Sequence, residues 1–385
     1  MTFKSTALAV AISAALCGSA WAVDPQSVRI GDGILFTPTL KVSERYEDNF
    51  RALERNEESS WITSIAPSLT LTAEGSKTGY KLNYTTVSDI FHSSRSDDNT
   101  DHHLTGEMVA EFNSRNRIKL DAAYHKVEET AAADQNIEND RYSSALVGGL
   151  YTFGARSART QVDLGASYEE LRYQNSGNLN ADKERDTVAL RSTVYYAVTP
   201  RTRVLGELRH TDYDYVSYNQ RDSKNLALLT GATWDATART SGTVKIGAER
   251  KRFDQSGIDN KSGSMWEAGL SWAPRTYSTF NLHTRRSFDE GEDNASTIRA
   301  MSAQLSWEHQ WLERLSSTVS LGYVDKEYQD YARDDELTTL GFGLTYAMRR
   351  WLDVGIGYKY AENDSTQFNE SYTRNIYMLS VTASL

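Results

Sequence analysis

The sequence predicts an all-β fold, a transmembrane antiparallel β-barrel of about 18 strands with short periplasmic turns and long extracellular loops. Three observations carry this. Apolar and polar side chains alternate with period two along segment after segment, which a helix of period 3.6 cannot present on one side. The links between these segments alternate between short and long. Beyond the N-terminal region no stretch is apolar enough for a membrane helix, so a bilayer can be crossed only by a closed sheet.

The chain opens with an export signal. Lys4 supplies the positive start, residues 7–16 form a brief apolar run, and Ala20-Trp21-Ala22 fits the small-x-small cleavage rule. Residues 1–22 are therefore expected to be removed, with the mature chain starting at Val23. A lipoprotein signal on Cys17 is the alternative, and Leu16 before it suits a lipobox poorly. Residues 23–33 read as a short periplasmic segment and 34–385 as the barrel.

Strand patterns then recur. Leu104, Gly106, Met108, Ala110 and Phe112 alternate with Thr105, Glu107, Val109 and Glu111. After the link Asn113–Asn116, Ile118, Leu120, Ala122 and Tyr124 alternate with Lys119, Asp121, Ala123 and His125, completing a two-faced hairpin. The pattern returns around Leu164, Leu190, Ile246, Leu305 and Ile356. Tyr377, Leu379, Val381, Ala383 and Leu385 carry it to the C-terminus, like a barrel assembly signal with leucine in place of the usual terminal aromatic.

Short links fall near 74–78, 113–116, 154–158, 199–202, 235–240, 273–276, 309–314 and 347–351. Long ones fall near 44–60, 91–102, 127–141, 171–186, 211–224, 253–264, 285–299, 325–337 and 361–373. These 17 connections imply 18 strands of about 10–12 residues, both termini on the short-turn side, and loops of about 12–17 residues. Arginines mark the short links (Arg115, Arg156, Arg201, Arg239, Arg275, Arg314, Arg349). Trp234, Trp272, Trp307, Trp311 and Trp351 lie near them, as in an interfacial aromatic girdle. A soluble β-sandwich is the alternative, and it rarely needs so many regularly linked strands.

Composition narrows the function. The formal charge is −10; removing Lys4 leaves 41 basic against 52 acidic residues, or −11. An acidic exported chain is not a nucleic-acid binder by default. A mean hydropathy of −0.58 is compatible with a barrel, in which only alternate strand residues meet lipid. Cys17 is the only cysteine, so a mature chain has no disulfide, thiolate metal site or cysteine nucleophile. Twenty-two tyrosines suit pleated surfaces and bilayer interfaces.

One segment carries a family likeness. Tyr46-Glu47-Asp48-Asn49, Ile65-Ala66-Pro67-Ser68-Leu69-Thr70-Leu71, Tyr80-Lys81-Leu82-Asn83-Tyr84, Asp97-Asp98-Asn99 and Asp101-His102-His103-Leu104 follow in that order. This resembles the outer-membrane β-barrel porins of exopolysaccharide gene clusters, the EpsL-like and VpsM-like proteins, most clearly over residues 34–112. The resemblance implies a Gram-negative outer-membrane channel passing a secreted polysaccharide, as for a biofilm matrix, with a periplasmic polysaccharide-export partner and contacts to lipid and lipopolysaccharide. No cofactor or nucleic acid is implied.

If the apolar stripe meets lipid, the polar stripe lines a lumen. Candidates are the basic Lys119, Arg191, Arg209, Lys245 and Arg285, the acidic Glu107, Glu111, Asp121, Asp163, Glu207, Glu249 and Glu308, and Asn83, Gln161, Tyr195, Asn281 and His283. Weak, repeated polar contacts suit passage; the plainer reading is cross-strand pairing that stiffens the wall. His102 and His103, adjacent on a strand, point to opposite faces and are poorly placed to chelate one ion. The acidic run 97–101 fits no EF-hand loop, and no Ser/His/acid signature suggests catalysis. A small-solute diffusion porin and an adhesin acting through its loops are the other functions considered. Nothing in the sequence singles out a constricting loop.

Overall fold

A computed structural model describes residues 27–130, 138–237, 239–292 and 295–384. The export signal at 1–22, the cleavage point before Val23 and the terminal Leu385 lie outside the described residues. A four-residue strand β1 (Val28–Gly31) precedes the barrel. The barrel strands are β2 (Ile34–Glu47), β3 (Ser60–Glu74), β4 (Thr78–Phe91), β5 (Asn99–Asn113), β6 (Asn116–Glu129), β7 (Asp140–Phe153), β8 (Thr160–Tyr173), β9 (Arg185–Thr199), β10 (Thr202–Tyr215), β11 (Ser223–Thr237), β12 (Thr240–Phe253), β13 (Lys261–Arg275), β14 (Ser278–Glu290), β15 (Thr297–Leu312), β16 (Leu315–Gln329), β17 (Asp334–Arg349), β18 (Leu352–Ser365) and β19 (Tyr372–Ser384).

Each barrel strand pairs antiparallel with its sequence neighbours, and β19 returns to β2, from Ile376↔Glu47 to Ser384↔Thr39. This closes 18 strands into a ring, the condition for a sheet to sit in hydrocarbon. β1 folds back on the start of β2. Local chemistry sets the turns. Between β5 and β6, the Asn113 side-chain oxygen accepts from the Arg115 amide and from Asn116 Nδ2, both at 2.9 Å, leaving a two-residue Asx-type turn.

The strands are longer than expected, 13–16 residues, and the nine long links correspondingly shorter, 4–12 residues. The polar residues assigned to loops continue the ladders instead. Asp212 faces Lys224, and Glu290 faces Thr297. Above the bilayer the pairing needs no apolar face, so hydropathy understates it.

The outer face carries the apolar belt. Leu190, Leu228, Ile246, Ile356 and Leu379 are all exposed, Leu228 to 66%. At the short-turn end, Trp272, Phe280 and Trp307 stack across β13–β15 with ring centroids 5.3 and 5.9 Å apart, and Trp311 extends the row. Trp307 and Trp311 donate their indole N–H to Ser278 and Ser317 at 2.9 and 2.8 Å, an apolar body with a polar tip as an interface requires.

Buried clusters are small. Phe50, Ile62 and Phe91 form one and Ala295, Ile298, Ala300 and Tyr328 another, both towards the long-link end, and Ala227, Leu229 and Met265 form a third on the inner wall of β11 and β13. The wall is most tightly creased at β11–β12. A Cβ on Gly231 would stand 2.0 Å from the Val244 carbonyl oxygen, and one on Gly247 2.0 Å from that of Leu228. Only glycine allows two strands to approach this closely at a barrel corner.

Candidate channel and its constriction

Which face is inward follows from the ion pairs. Several join strands that are not neighbours: Arg45 on β2 reaches Asp89 on β4 at 2.8 Å, Lys245 on β12 reaches Glu207 on β10 at 3.0 Å, and Arg209 on β10 reaches Glu267 on β13 at 2.5 Å. Side chains diverge on the convex side of a wall and converge on the concave side, so these residues point into the barrel.

The register places the sequence candidates on this face. Glu107 on β5 lies opposite Asp121 on β6. Lys119 on β6 binds Glu107 at 2.5 Å. Asp163 on β8 accepts from Gln161 at 3.2 Å. Arg191 on β9 lies opposite Arg209, and Tyr195 opposite Leu205. Glu207 is 2% exposed; it accepts from Thr193 at 2.9 Å and pairs with Arg209 and Lys245. Glu249 accepts from Asn225 at 2.9 Å. His283 faces Gly269, Arg285 pairs with Asp289, and Glu308 lies opposite Thr279 near the short-turn end. Of the further polar candidates, Glu111 pairs with Arg156, Asn83 donates to Thr70 at 2.8 Å, Gln161 accepts from Arg203 at 2.8 Å, and Asn281 lies opposite Ser306. Arg209, Glu207, Lys245 and Glu267 form a four-residue network across the creased part of the wall.

His102 and His103 diverge. His102 Nδ1 is 2.9 Å from the Tyr84 hydroxyl on the outer face, and His103 Nδ1 is 2.9 Å from His125 Nδ1 on the inner face. Among the described residues no three His, Cys, Asp or Glu side chains are arranged to hold a metal.

The feature sequence reasoning missed is the end of β14. Its ladder with β13 stops at Trp266↔Arg286, whereas its ladder with β15 continues to Glu290↔Thr297. Beyond Arg286 the end of β14 parts from β13 and turns over the inner face of the wall, while β15 keeps its ladder with β16 up to Thr297↔Gln329. Phe288, which the alternation would send outward, packs over the inner face of β13; a Cβ on Gly263 would lie 3.1 Å from its ring. The Phe288 amide donates to Glu249 on β12 at 2.7 Å. Glu290 pairs with Lys251 on β12 and accepts from the Tyr215 hydroxyl of β10 at 2.7 Å. Arg221, in the β10–β11 link, donates to the Ala295 carbonyl at 3.4 Å, and Lys326 on β16 stands 3.6 Å from Glu292. Burial alone would raise the Glu292 pKa, but Lys326, Lys183 and Arg333 outweigh it and hold the carboxyl below the usual carboxylate range. The end of β14 and the link after it thus occupy part of the barrel interior, held by residues of β10, β12 and β16 and of the β10–β11 link. No motif marks it; the only sequence signal is an acidic run, Asp289-Glu290-Gly291-Glu292-Asp293, which reads as a solvated loop.

The geometry is therefore that of a closed barrel with a charged inner face, into which, among the described residues, the end of β14 projects. Comparison with known proteins agrees with the barrel. A profile of the family described as Putative beta-barrel porin 2 matches residues 22–385. No curated protein is significantly similar in sequence. Among solved structures, OpdK of Pseudomonas aeruginosa superposes with a TM-score of 0.50 at 12% identity, covering 91% of this chain and 99% of that one. OccK3 (OpdO) of the same organism gives 0.50 at 14%, covering 91% and 96%. The FrpB iron transporter from Neisseria meningitidis gives 0.46 at 8%, covering 86% of this chain and 62% of that one, so the chain spans about three fifths of its length. Identities this low speak to the barrel fold alone.

Proposed function

The chain belongs to the putative beta-barrel porin 2 family, and from that premise we propose that this outer-membrane barrel is the channel through which a secreted exopolysaccharide leaves the cell, fed by a periplasmic polysaccharide-export partner. The supporting observation is the inner face. It is largely charged and hydroxyl-bearing, with many of its cations and anions in ion pairs, so it can offer a passing sugar many weak contacts. An 18-strand barrel is wide enough to hold an aqueous path. The polymer class comes from the likeness of residues 34–112 to porins of exopolysaccharide clusters.

A second reading is a diffusion channel for small solutes. It is favoured by the inward end of β14, which occupies part of the barrel interior, and by the general likeness to the OpdK barrel, a protein also solved with vanillate. Deleting the gene separates the two. The export reading expects polymer to accumulate in the periplasm with small-solute uptake unchanged; loss of uptake with normal polymer release would replace it with the second.

A further inference from the structure

We propose that Glu290 and Glu292 are built-in stand-ins for an anionic solute: the end of β14 keeps the channel narrow by occupying a carboxylate-binding seat on the inner wall, and a carboxylate-bearing solute widens it by taking that seat. This rests on the reading that the barrel conducts, and it names the class of solute.

The seat's cation and hydroxyl come from strands other than β14. Lys251 is 1% exposed and Tyr215 2%, on β12 and β10. The Lys251 ammonium lies 4.8 Å from the centre of the Tyr213 ring, and Arg185 of β9 lies within electrostatic reach of the same carboxylate. A second cation, Lys326 on β16, the strand paired with β15, stands 3.6 Å from Glu292. An ammonium, a guanidinium and a tyrosine hydroxyl converging on one carboxylate is a charge-assisted anion site; here the anion is part of the chain.

The strand also has somewhere else to go. The edge of β13 from Lys261 to Met265 carries no β14 ladder. Extending the observed register sets Phe288 opposite Ser264 and Glu290 opposite Ser262, so the end of β14 can zip back into the wall. Withdrawal then exchanges inward contacts for ladder hydrogen bonds. What opposes it is the loss of the Lys251–Glu290 ion pair and of the Tyr215–Glu290 hydrogen bond. A neutral solute cannot replace the lost carboxylate, whereas an acidic one can. Because the solute favours the withdrawn state by its extra affinity for the vacated seat, it shifts the population towards opening.

The test is planar-bilayer recording of the full chain with tri-galacturonate, vanillate or maltotriose added. Assembly of every variant is checked by heat-dependent gel mobility. The expected result is a several-fold rise in open probability with one or both acids and none with maltotriose. Whichever acid acts tells an acidic sugar from an aromatic acid as the source. Glu290→Gln should open the channel without any solute, and Lys251→Met should do the same and abolish the response to acids. Maltotriose matching the acids, or Glu290→Gln leaving opening unchanged, overturns the proposal. Splicing Ser287 to Ala300 with a short Gly-Ser turn separates the two failures. A silent spliced barrel defeats the channel reading, while an open one beside an acid-insensitive wild type defeats only the stand-in role.

Discussion

Glu207 and Glu107 are both inward acids with a cationic partner, yet burial makes them unequal. Glu207 is almost fully enclosed and holds Arg209, Lys245 and Thr193 together. Glu107 meets only Lys119 in a half-exposed pair. Removing one member of a buried pair strands its partners' charge, whereas exposed pairs contribute little. Glu207→Ala should cost roughly 2–4 kcal/mol in the urea unfolding of the folded barrel, discounted because Glu267 still holds both cations. Lys119→Ala should cost under about 1 kcal/mol. Facing gives a second contrast. Leu190 belongs to the exposed outer belt while its neighbour Arg191 points inward. Leu190→Arg should therefore destabilise the inserted state by about 2–4 kcal/mol, and Arg191→Gln by much less. Fractional insertion into lipid vesicles measures both, and a more damaging Arg191 change would invert the assignment of faces. The alternation that places these residues is legible in the sequence. That Arg209 meets Glu267 is not, because it depends on the curvature that draws β10 and β13 together.

Within the elements, the number and order of strands follow from the alternation and the link pattern. Strand length does not follow, since hydropathy records where lipid begins and ends, while ladders such as Asp212↔Lys224 persist in water. The inward bend of β14 is invisible for a related reason. Phe288 and Glu290 have the residue types of an ordinary strand end, and their contacts with Gly263, Lys251 and Tyr215 come from distant strands. The crease at Gly231 and Gly247 is an element-scale constraint that can be tested directly. Gly231→Val puts two γ-carbons and a Cβ where the Val244 carbonyl already lies, so β11 and β12 cannot keep their spacing. The variant should give a small fraction of heat-modifiable barrel compared with wild type. Valine at Gly206, whose Cβ would meet nothing within 4 Å, should assemble normally.

At the scale of the whole molecule, stability hinges on a seam that sequence order does not help to form. Every other barrel ladder joins consecutive strands, but β19 must find β2 after the rest of the wall is built, and their ladder runs only from Ile376↔Glu47 to Ser384↔Thr39. Closing so long a loop is entropically unfavourable. The motif Tyr46-Glu47-Asp48-Asn49, met in the sequence as a family likeness, is what fastens it. One Asp48 oxygen accepts from the Asn375 amide and the other from Asn375 Nδ2, both at 2.7 Å. Asn49, fully buried, donates to the Thr373 carbonyl at 3.0 Å and to the Leu53 carbonyl at 2.8 Å, while its own side-chain oxygen accepts from the Leu53 amide at 2.9 Å. These side chains bridge the first and last barrel strands just beyond the end of their ladder, where fraying would start. Asp48→Ala removes two acceptors and leaves the Asn375 donors to water, at a cost of about 1–3 kcal/mol. Because the loss sits on the seam, it should appear as faster amide exchange along residues 372–384 and 39–47, with exchange in β9 and β10 unchanged. Uniformly faster exchange around the wall would mean instead that the barrel opens as one unit and that the motif holds no special place in its closure.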